Sequence, residues 1–189
     1  MRGRAGGDAE RLRASLKEAR VRRFLFSGHA DAKVPSGGGE RSLGFTKPGG
    51  VLETISSPDT LASLLGAHAP RHGGALELVF LNGCNSDSLG RAVHAAGVPH
   101  VVCWQTQCAD GAARIFARTF FQASAQGCTY EQAFEEAKRG VLGTTRRAAA
   151  SGGPRVPMYE LRARHTPPQQ SFLHPSPIAA GIPVLLPVA

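Results

Sequence analysis

The chain has 189 residues, of which 42% are hydrophobic, and a formal net charge of +8. This length and apolar content are typical of a single domain with its own core, and no apolar run is long enough to cross a bilayer. The positive charge lies in the flanks: residues 1–23 carry eight basic and three acidic groups, and residues 138–164 carry seven basic and one acidic. Nucleic-acid-binding domains concentrate charge on a folded face with stacking aromatics, so specific nucleic-acid binding is not expected.

The N-terminal residues predict a disordered basic start over residues 1–7, followed by a helix. No apolar core follows the basic start, as a signal peptide would require, so the expected location is the cell interior, most simply the cytoplasm. Import into an organelle stays open, and no membrane partner is expected. Asp8 is the predicted N-cap of the helix. Leu12, Ser15, Leu16 and Ala19 recur at the spacing of one helix face.

A first strand is predicted over residues 21–26, an apolar run that ends in Ser27-Gly28-His29-Ala30-Asp31. Residues 32–50 hold six glycines and two prolines, which predicts a long surface loop. Residues 51–55 predict a short strand or hairpin arm. Ser57 and Pro58 then predict the N-cap and first position of a helix.

The next predicted strand, residues 76–81, stops at the breaker pair Asn82-Gly83 and leaves Cys84 at its exposed end. A helix is predicted directly afterwards. Chemistry collects at the carboxyl ends of parallel strands, and a helix start favours a thiolate over a thiol. If the two strands are parallel neighbours, His29 and Cys84 meet as general base and nucleophile. The alternative, that Cys84 is a small buried apolar side chain at a strand end, fits its position equally well.

The second half of the chain predicts one more strand, two covering helices and a tail. The strand, residues 98–104, ends in Trp104, whose ring either borders a specificity pocket or belongs to the core. Asp110 is the predicted cap of one helix, and a capping box at Thr129 and Gln132 opens the next. Residues 146–155 predict a linker, and residues 156–161 one edge strand. Six of the thirteen prolines and no charged side chain follow residue 164, which predicts a disordered tail over residues 163–189.

The four cysteines predict free thiols in a reducing compartment. No second Cys or His pair at metal-ligand spacing accompanies Cys103 and Cys108, so no structural zinc is expected. No metal or other cofactor is needed for the proposed chemistry.

Four segments resemble the CHAT domain, a caspase-like cysteine peptidase family related to separase: FLFSGHA (24–30), VFLNGCNS (79–86), VPHVVCW (98–104) and DGAARIFARTFF (110–121). The resemblance predicts a domain over residues 8–162. It implies an α/β fold, a caspase-like three-layer sandwich with a mostly parallel sheet flanked by helices. Such domains begin with further strands and a helix, so the N-terminal strands are expected to be missing here.

The resemblance also assigns roles to residues. His29 matches the general base and Cys84 the nucleophile, and backbone N–H groups of Ala30 and Cys84 would form the oxyanion hole. The family usually has Gly where this chain has Ala30. Separase and several relatives cleave after Arg or Lys, so a carboxylate at Asp87 or Asp110 would accept a basic P1 side chain. Both aspartates are equally typical of helix starts.

The expected function is therefore that of a cysteine endopeptidase, which hydrolyses peptide bonds through a thioester acyl-enzyme. Its partners would be a protein or peptide substrate and, in a longer form, repeat-containing domains or a regulatory partner. The main alternative is a catalytically silent scaffold or regulatory interaction domain. A cysteine esterase of the α/β-hydrolase type is less consistent, because the second glycine of the nucleophile elbow is absent and His29 precedes Cys84.

Overall fold

The computed structural model describes residues 9–18, 20–28, 43–46, 52–55, 58–147, 154–163 and 176–187. These residues form two compact units, one within Met1–Cys103 and Val184–Ala189 and the other within Trp104–Pro183. The helices and strands follow one another in the order α1 (Ala9–Glu18), β1 (Arg23–Ser27), β2 (Leu43–Thr46), β3 (Leu52–Ile55), α2 (Pro58–Gly66), a 3-10 turn (Pro70–His72), β4 (Leu78–Asn82), α3 (Asp87–Ala95), β5 (His100–Trp104), α4 (Asp110–Ala125), α5 (Tyr130–Leu142), β6 (Thr145–Arg147), β7 (Arg155–Pro157), β8 (Tyr159–Glu160), β9 (Ile178–Ala179) and β10 (Pro183–Leu186).

The main sheet of the first unit has the strand order β1-β4-β5-β10. Strands β1 and β4 are parallel neighbours, paired from Arg23↔Leu78 to Ser27↔Asn82. Strand β5 continues the sheet in parallel, with the last paired residues at Phe80↔Val102. The predicted parallel neighbourhood of the His29 and Cys84 strands is therefore confirmed for the strands themselves.

The core of the first unit lies between this sheet and helices α1, α2 and α3. Strand β4 is buried along its whole length, as the apolar sequence of its first four residues predicts. One face of the sheet packs against apolar side chains of the helices, at about 1.5–3 kcal/mol of transfer free energy for each fully buried side chain. The helix residues of this cluster are Leu16 of α1, Leu61 and Leu65 of α2, and Leu89 and Val93 of α3.

The second unit is built on the packing of α4 against α5. The Phe116 ring lies edge-on to Trp104 and to Phe134, with ring centroids 5.4 Å apart in both pairs. The predicted capping box of α5 is confirmed: the Gln132 N–H donates to Thr129 Oγ1 at 3.2 Å, and the Thr129 N–H donates to Gln132 Oε1 at 3.0 Å. The mixed α/β class with a mainly parallel, helix-flanked sheet is thus confirmed.

Two predictions of secondary structure are wrong in part. The long loop expected over residues 32–50 contains β2, which pairs antiparallel with β3. The single edge strand expected over residues 156–161 is instead divided between β7, which pairs with β6, and β8, which pairs with β9. In both cases the strand forms because a second segment pairs with it, and local composition does not indicate which segment that is.

The prediction of a disordered tail is wrong for residues 176–187. Strand β10 is part of the main sheet, and Val184 and Leu186 pack against the core of the first unit. The Pro187 carbonyl oxygen lies 2.8 Å from His94 Nε2 in the last turn of α3. Proline at the first position of a sheet strand is compatible with pairing, because its missing N–H is tolerated there. The rest of the tail, residues 164–175 and 188–189, and the basic start with Asp8 lie outside the described residues.

Candidate functional site

The ends of β1 and β4 lie side by side at one edge of the sheet. The last paired residues are Ser27 and Asn82, and the Gly28 N–H donates to the Asn82 carbonyl oxygen at 3.3 Å. His29 and Ala30 follow immediately in the sequence, but both lie outside the described residues. Their roles as general base and oxyanion donor therefore stay predictions.

Cys84 lies in the short turn that joins β4 to α3, as the sequence predicts. Its side chain is half-buried, whereas Ser86, two residues later, is completely buried. Asn85 between them has a φ of 52°, in the left-handed region. The Ser86 hydroxyl donates to the Leu81 carbonyl oxygen at 3.0 Å, which joins the far end of the turn to the strand.

The other three cysteines have different surroundings, and none of the four cysteines is in a disulfide. Cys103 in β5 is fully buried. The pKa of its thiol is raised from 9.0 to about 12, mainly by burial and to a smaller extent by the Asp87 carboxylate, whereas the Arg91 guanidinium acts in the opposite direction. Cys108 is buried, and Cys128 is half-buried in the second unit. Of the four cysteines, Cys84 and Cys128 are thus half-buried, and Cys103 and Cys108 are buried.

The two candidate pocket aspartates both begin a helix. Asp87 is the first residue of α3 and is half-buried, and Asp110 is the first residue of α4 and is exposed. The N-cap positions belong to Ser86 and Ala109, so the prediction of Asp110 as a cap is wrong by one residue. A carboxylate in the first helical turn is still stabilised by the helix dipole. The pocket role of both residues stays a prediction.

Trp104, the third candidate pocket residue, is fully buried, and its ring packs against Phe116. It serves as a core side chain of the second unit, which is one of the two interpretations that the sequence left open. A role as a pocket wall stays a prediction. Asp87 and Cys84 belong to the first unit, and Asp110 and Trp104 to the second.

The sequence interpretation missed Asn85 and Ser86 as parts of the site. Asn is one of the few residues with a side chain that enter the left-handed region readily, and it directly follows Cys84. Ser86 directly precedes the helix, which is typical of an N-cap whose hydroxyl bonds the helix N–H groups. The structure shows no such capping bond from Ser86, whose hydroxyl bonds the strand instead. Only the Asn85 signal was readable in advance.

Comparison with known proteins identifies the family of this chain. The model of the CHAT domain matches residues 3–174. None of the curated proteins matches the chain significantly. Among the residues that the structure describes, no helix is both long and apolar enough to traverse a membrane, and no group of three or more His, Cys, Asp or Glu side chains could hold a metal ion. The chain therefore belongs to the CHAT domain family, which is associated with caspase-like cysteine peptidases.

Proposed function

We propose that this chain is a cysteine endopeptidase in which Cys84 is the nucleophile and His29 the general base. The observation that carries the proposal is the parallel pairing of β1 and β4 in register up to Ser27↔Asn82. His29 and Cys84 each stand two positions beyond these paired residues in the sequence. Since parallel strands run in one direction, both motifs leave the sheet at the same edge. Membership of a family associated with caspase-like peptidases supports the same conclusion.

In the proposed reaction the His29 imidazole takes the proton of the Cys84 thiol, and the thiolate attacks the carbonyl carbon of the scissile bond. Backbone N–H groups of Cys84 and Ala30 donate to the oxyanion. The imidazolium gives its proton to the departing amine, which leaves a thioester on Cys84. Water, deprotonated by His29, then cleaves the thioester and restores the thiol.

For the substrate we propose cleavage after Arg or Lys, with Asp87 as the acceptor of the basic P1 side chain. Asp87 is three residues beyond Cys84, in the same compact unit, and its side chain is half-buried at the start of α3. Asp110 is the second candidate, and it belongs to the other unit. The Asp87 carboxylate would form an ion pair with a positively charged P1 side chain but not with an uncharged one. Asp87→Asn should therefore lower kcat/KM for substrates with Arg at P1 and leave kcat/KM for substrates with norleucine at P1 largely unchanged.

The test is hydrolysis of a peptide library with Arg, Lys or an uncharged residue at P1, by the native chain and three variants. Cys84→Ala should abolish cleavage, and His29→Ala should lower kcat by about a hundredfold or more. Cys128→Ala is the matched control, because Cys128 is also half-buried and is not in a disulfide. Cleavage that survives Cys84→Ala contradicts the proposal. A folded native chain that cleaves none of these peptides favours the scaffold interpretation.

A further inference from the structure

The geometry points to Asn85 and Ser86 as positioning residues for the Cys84 thiol. The inference rests on the proposed function and concerns how the turn between β4 and α3 holds its cysteine. Neither residue is assigned a chemical step. Their role is to fix the backbone on the C-terminal side of Cys84, and with it the direction of the thiol and of the Cys84 N–H group.

The first observation is the backbone of Asn85. Its φ of 52° is the only positive value at a residue other than glycine among the described residues. For most side chains this conformation is disfavoured by contact between Cβ and the neighbouring carbonyl oxygen, whereas Asn tolerates it. A residue in the left-handed region changes the direction of the backbone sharply. The strand can therefore turn sharply into α3 directly after Cys84, and the thiol stays at the strand end.

The second observation is the hydroxyl of Ser86. The Ser86 side chain is completely buried, and its Oγ donates to the Leu81 carbonyl oxygen at 3.0 Å. This bond spans five residues and closes a loop that contains Cys84. The Ser86 carbonyl oxygen in turn accepts from the Gly90 N–H at 2.9 Å, within the first turn of α3. Ser86 thus connects the strand end with the helix start, so that the turn between them has little freedom.

Fixed direction matters more for catalysis than for folding. A displacement of a reacting atom by about 1 Å can cost roughly a hundredfold in rate, even where the fold survives. The thiol must reach a carbonyl carbon while the Cys84 N–H reaches the oxyanion, so two groups of one residue have to be oriented together. A turn that contains a left-handed residue directly after Cys84 and is closed by the buried hydrogen bond from Ser86 to Leu81 meets this requirement.

The test uses two pairs of variants in the full chain. Ser86→Ala removes the hydroxyl and Ser86→Thr keeps it. Asn85→Ala disfavours the left-handed backbone, and Asn85→Gly allows it without any side chain. We expect Ser86→Ala and Asn85→Ala to lower kcat for peptide hydrolysis by about ten- to a hundredfold with little change in KM, whereas Asn85→Gly and Ser86→Thr retain most of it. Melting temperatures, measured alongside, separate loss of fold from loss of orientation.

A second readout works without catalysis. The rates at which N-ethylmaleimide and the larger fluorescein-5-maleimide alkylate Cys84 are compared by mass spectrometry, with Cys128 of the same molecule as reference. A fixed, half-buried thiol discriminates against the larger reagent, so Ser86→Ala and Asn85→Ala should raise the large-to-small rate ratio at Cys84 and leave that at Cys128 unchanged. This ratio does not depend on His29 or on any substrate.

The outcomes separate the inference from the proposed function. If the ratio rises in both variants but no form of the chain cleaves peptides, the positioning role stands and the proposed function fails. If the native chain cleaves peptides while kcat and the ratio are unchanged in folded Ser86→Ala and Asn85→Ala, the positioning role is refuted. Equal losses of kcat in Asn85→Gly and Asn85→Ala would overturn the backbone role of Asn85.

Discussion

Gly90 lies where α3 packs closely against β5, and replacing it with alanine tests the packing that holds this helix in place. A Cβ at position 90 would lie 2.9 Å from Cys103 Sγ and 3.1 Å from Cys103 Cβ. Cys103 is fully buried, so a close-packed interior surrounds its sulfur. Overpacking of this kind costs about 1–3 kcal/mol, and alanine in a helix interior is favoured over glycine by about 1 kcal/mol.

The balance of these two effects predicts that Gly90→Ala lowers the free energy of unfolding by about 1 kcal/mol. For a chain of this size that corresponds to a melting temperature about 2–4 °C lower. In a Cys103→Ala background the sulfur is absent, so the same substitution should cost less. The two changes should therefore couple by at least about 0.5 kcal/mol.

The assay is urea unfolding, followed by circular dichroism, of the native chain, the two single variants and the double variant. Additivity of the two changes to within about 0.3 kcal/mol would refute the reasoning, because it would mean that the new methyl group does not meet the sulfur. A more stable Gly90→Ala would refute it as well, since helix propensity alone would then decide the result.

Three further predictions concern the Cys103 thiol, the cap of α5 and the core of the second unit. The folded chain keeps the Cys103 proton up to a pKa of about 12, while the unfolded chain loses it near 9.0, so the unfolded state binds fewer protons between these values and stability falls as the pH rises through this window. Between pH 8 and 10 the native chain should lose about 1 kcal/mol more than Cys103→Ala in urea unfolding, and equal losses would contradict the raised pKa. Thr129→Ala removes the cap of α5 and should cost about 1 kcal/mol in the free energy of unfolding, whereas Thr129→Ser, which keeps the hydroxyl, should cost much less. Phe116→Ala empties a fully buried position between two rings and should cost about 3–5 kcal/mol, while Leu25→Ala, at a side chain that is 47% exposed, should change stability by less than about 0.5 kcal/mol; similar losses in thermal unfolding would contradict the assignment of Phe116 to the core.

The central strands were predictable because their signals are local. Residues 78–81 are apolar without interruption and stop at Asn82-Gly83, which is typical of a strand buried on both faces. The capping box of α5 lies within four residues, and it too could be read directly. The position of Cys84 at the strand end follows from the same short-range pattern.

The parts that were predicted wrongly depend on partners distant in the sequence. The tail was predicted to be disordered because of its prolines. Val184 and Leu186 nevertheless pack against core residues that lie about eighty or more positions earlier in the sequence. Ser86 has the residue type and position of an N-cap, and only the folded turn shows that its hydroxyl bonds Leu81 instead. Single-residue preference identifies the available conformations, and long-range contacts select among them.

Cys84 and Cys103 are one residue type in two environments, and α3 contributes to both. The helix covers Cys103 through Gly90, and it begins next to Cys84 through the buried Ser86. If the position of α3 determines the accessibility of both thiols, a displacement of this helix should change the alkylation of Cys103 and of Cys84. Gly90→Ala should then raise the alkylation rate of Cys103 by N-ethylmaleimide and also raise the large-to-small rate ratio at Cys84, whereas Cys128 in the other unit should not change. Continued protection of Cys103, in a variant that has nevertheless lost stability, would show that the sheet rather than the helix keeps this thiol buried.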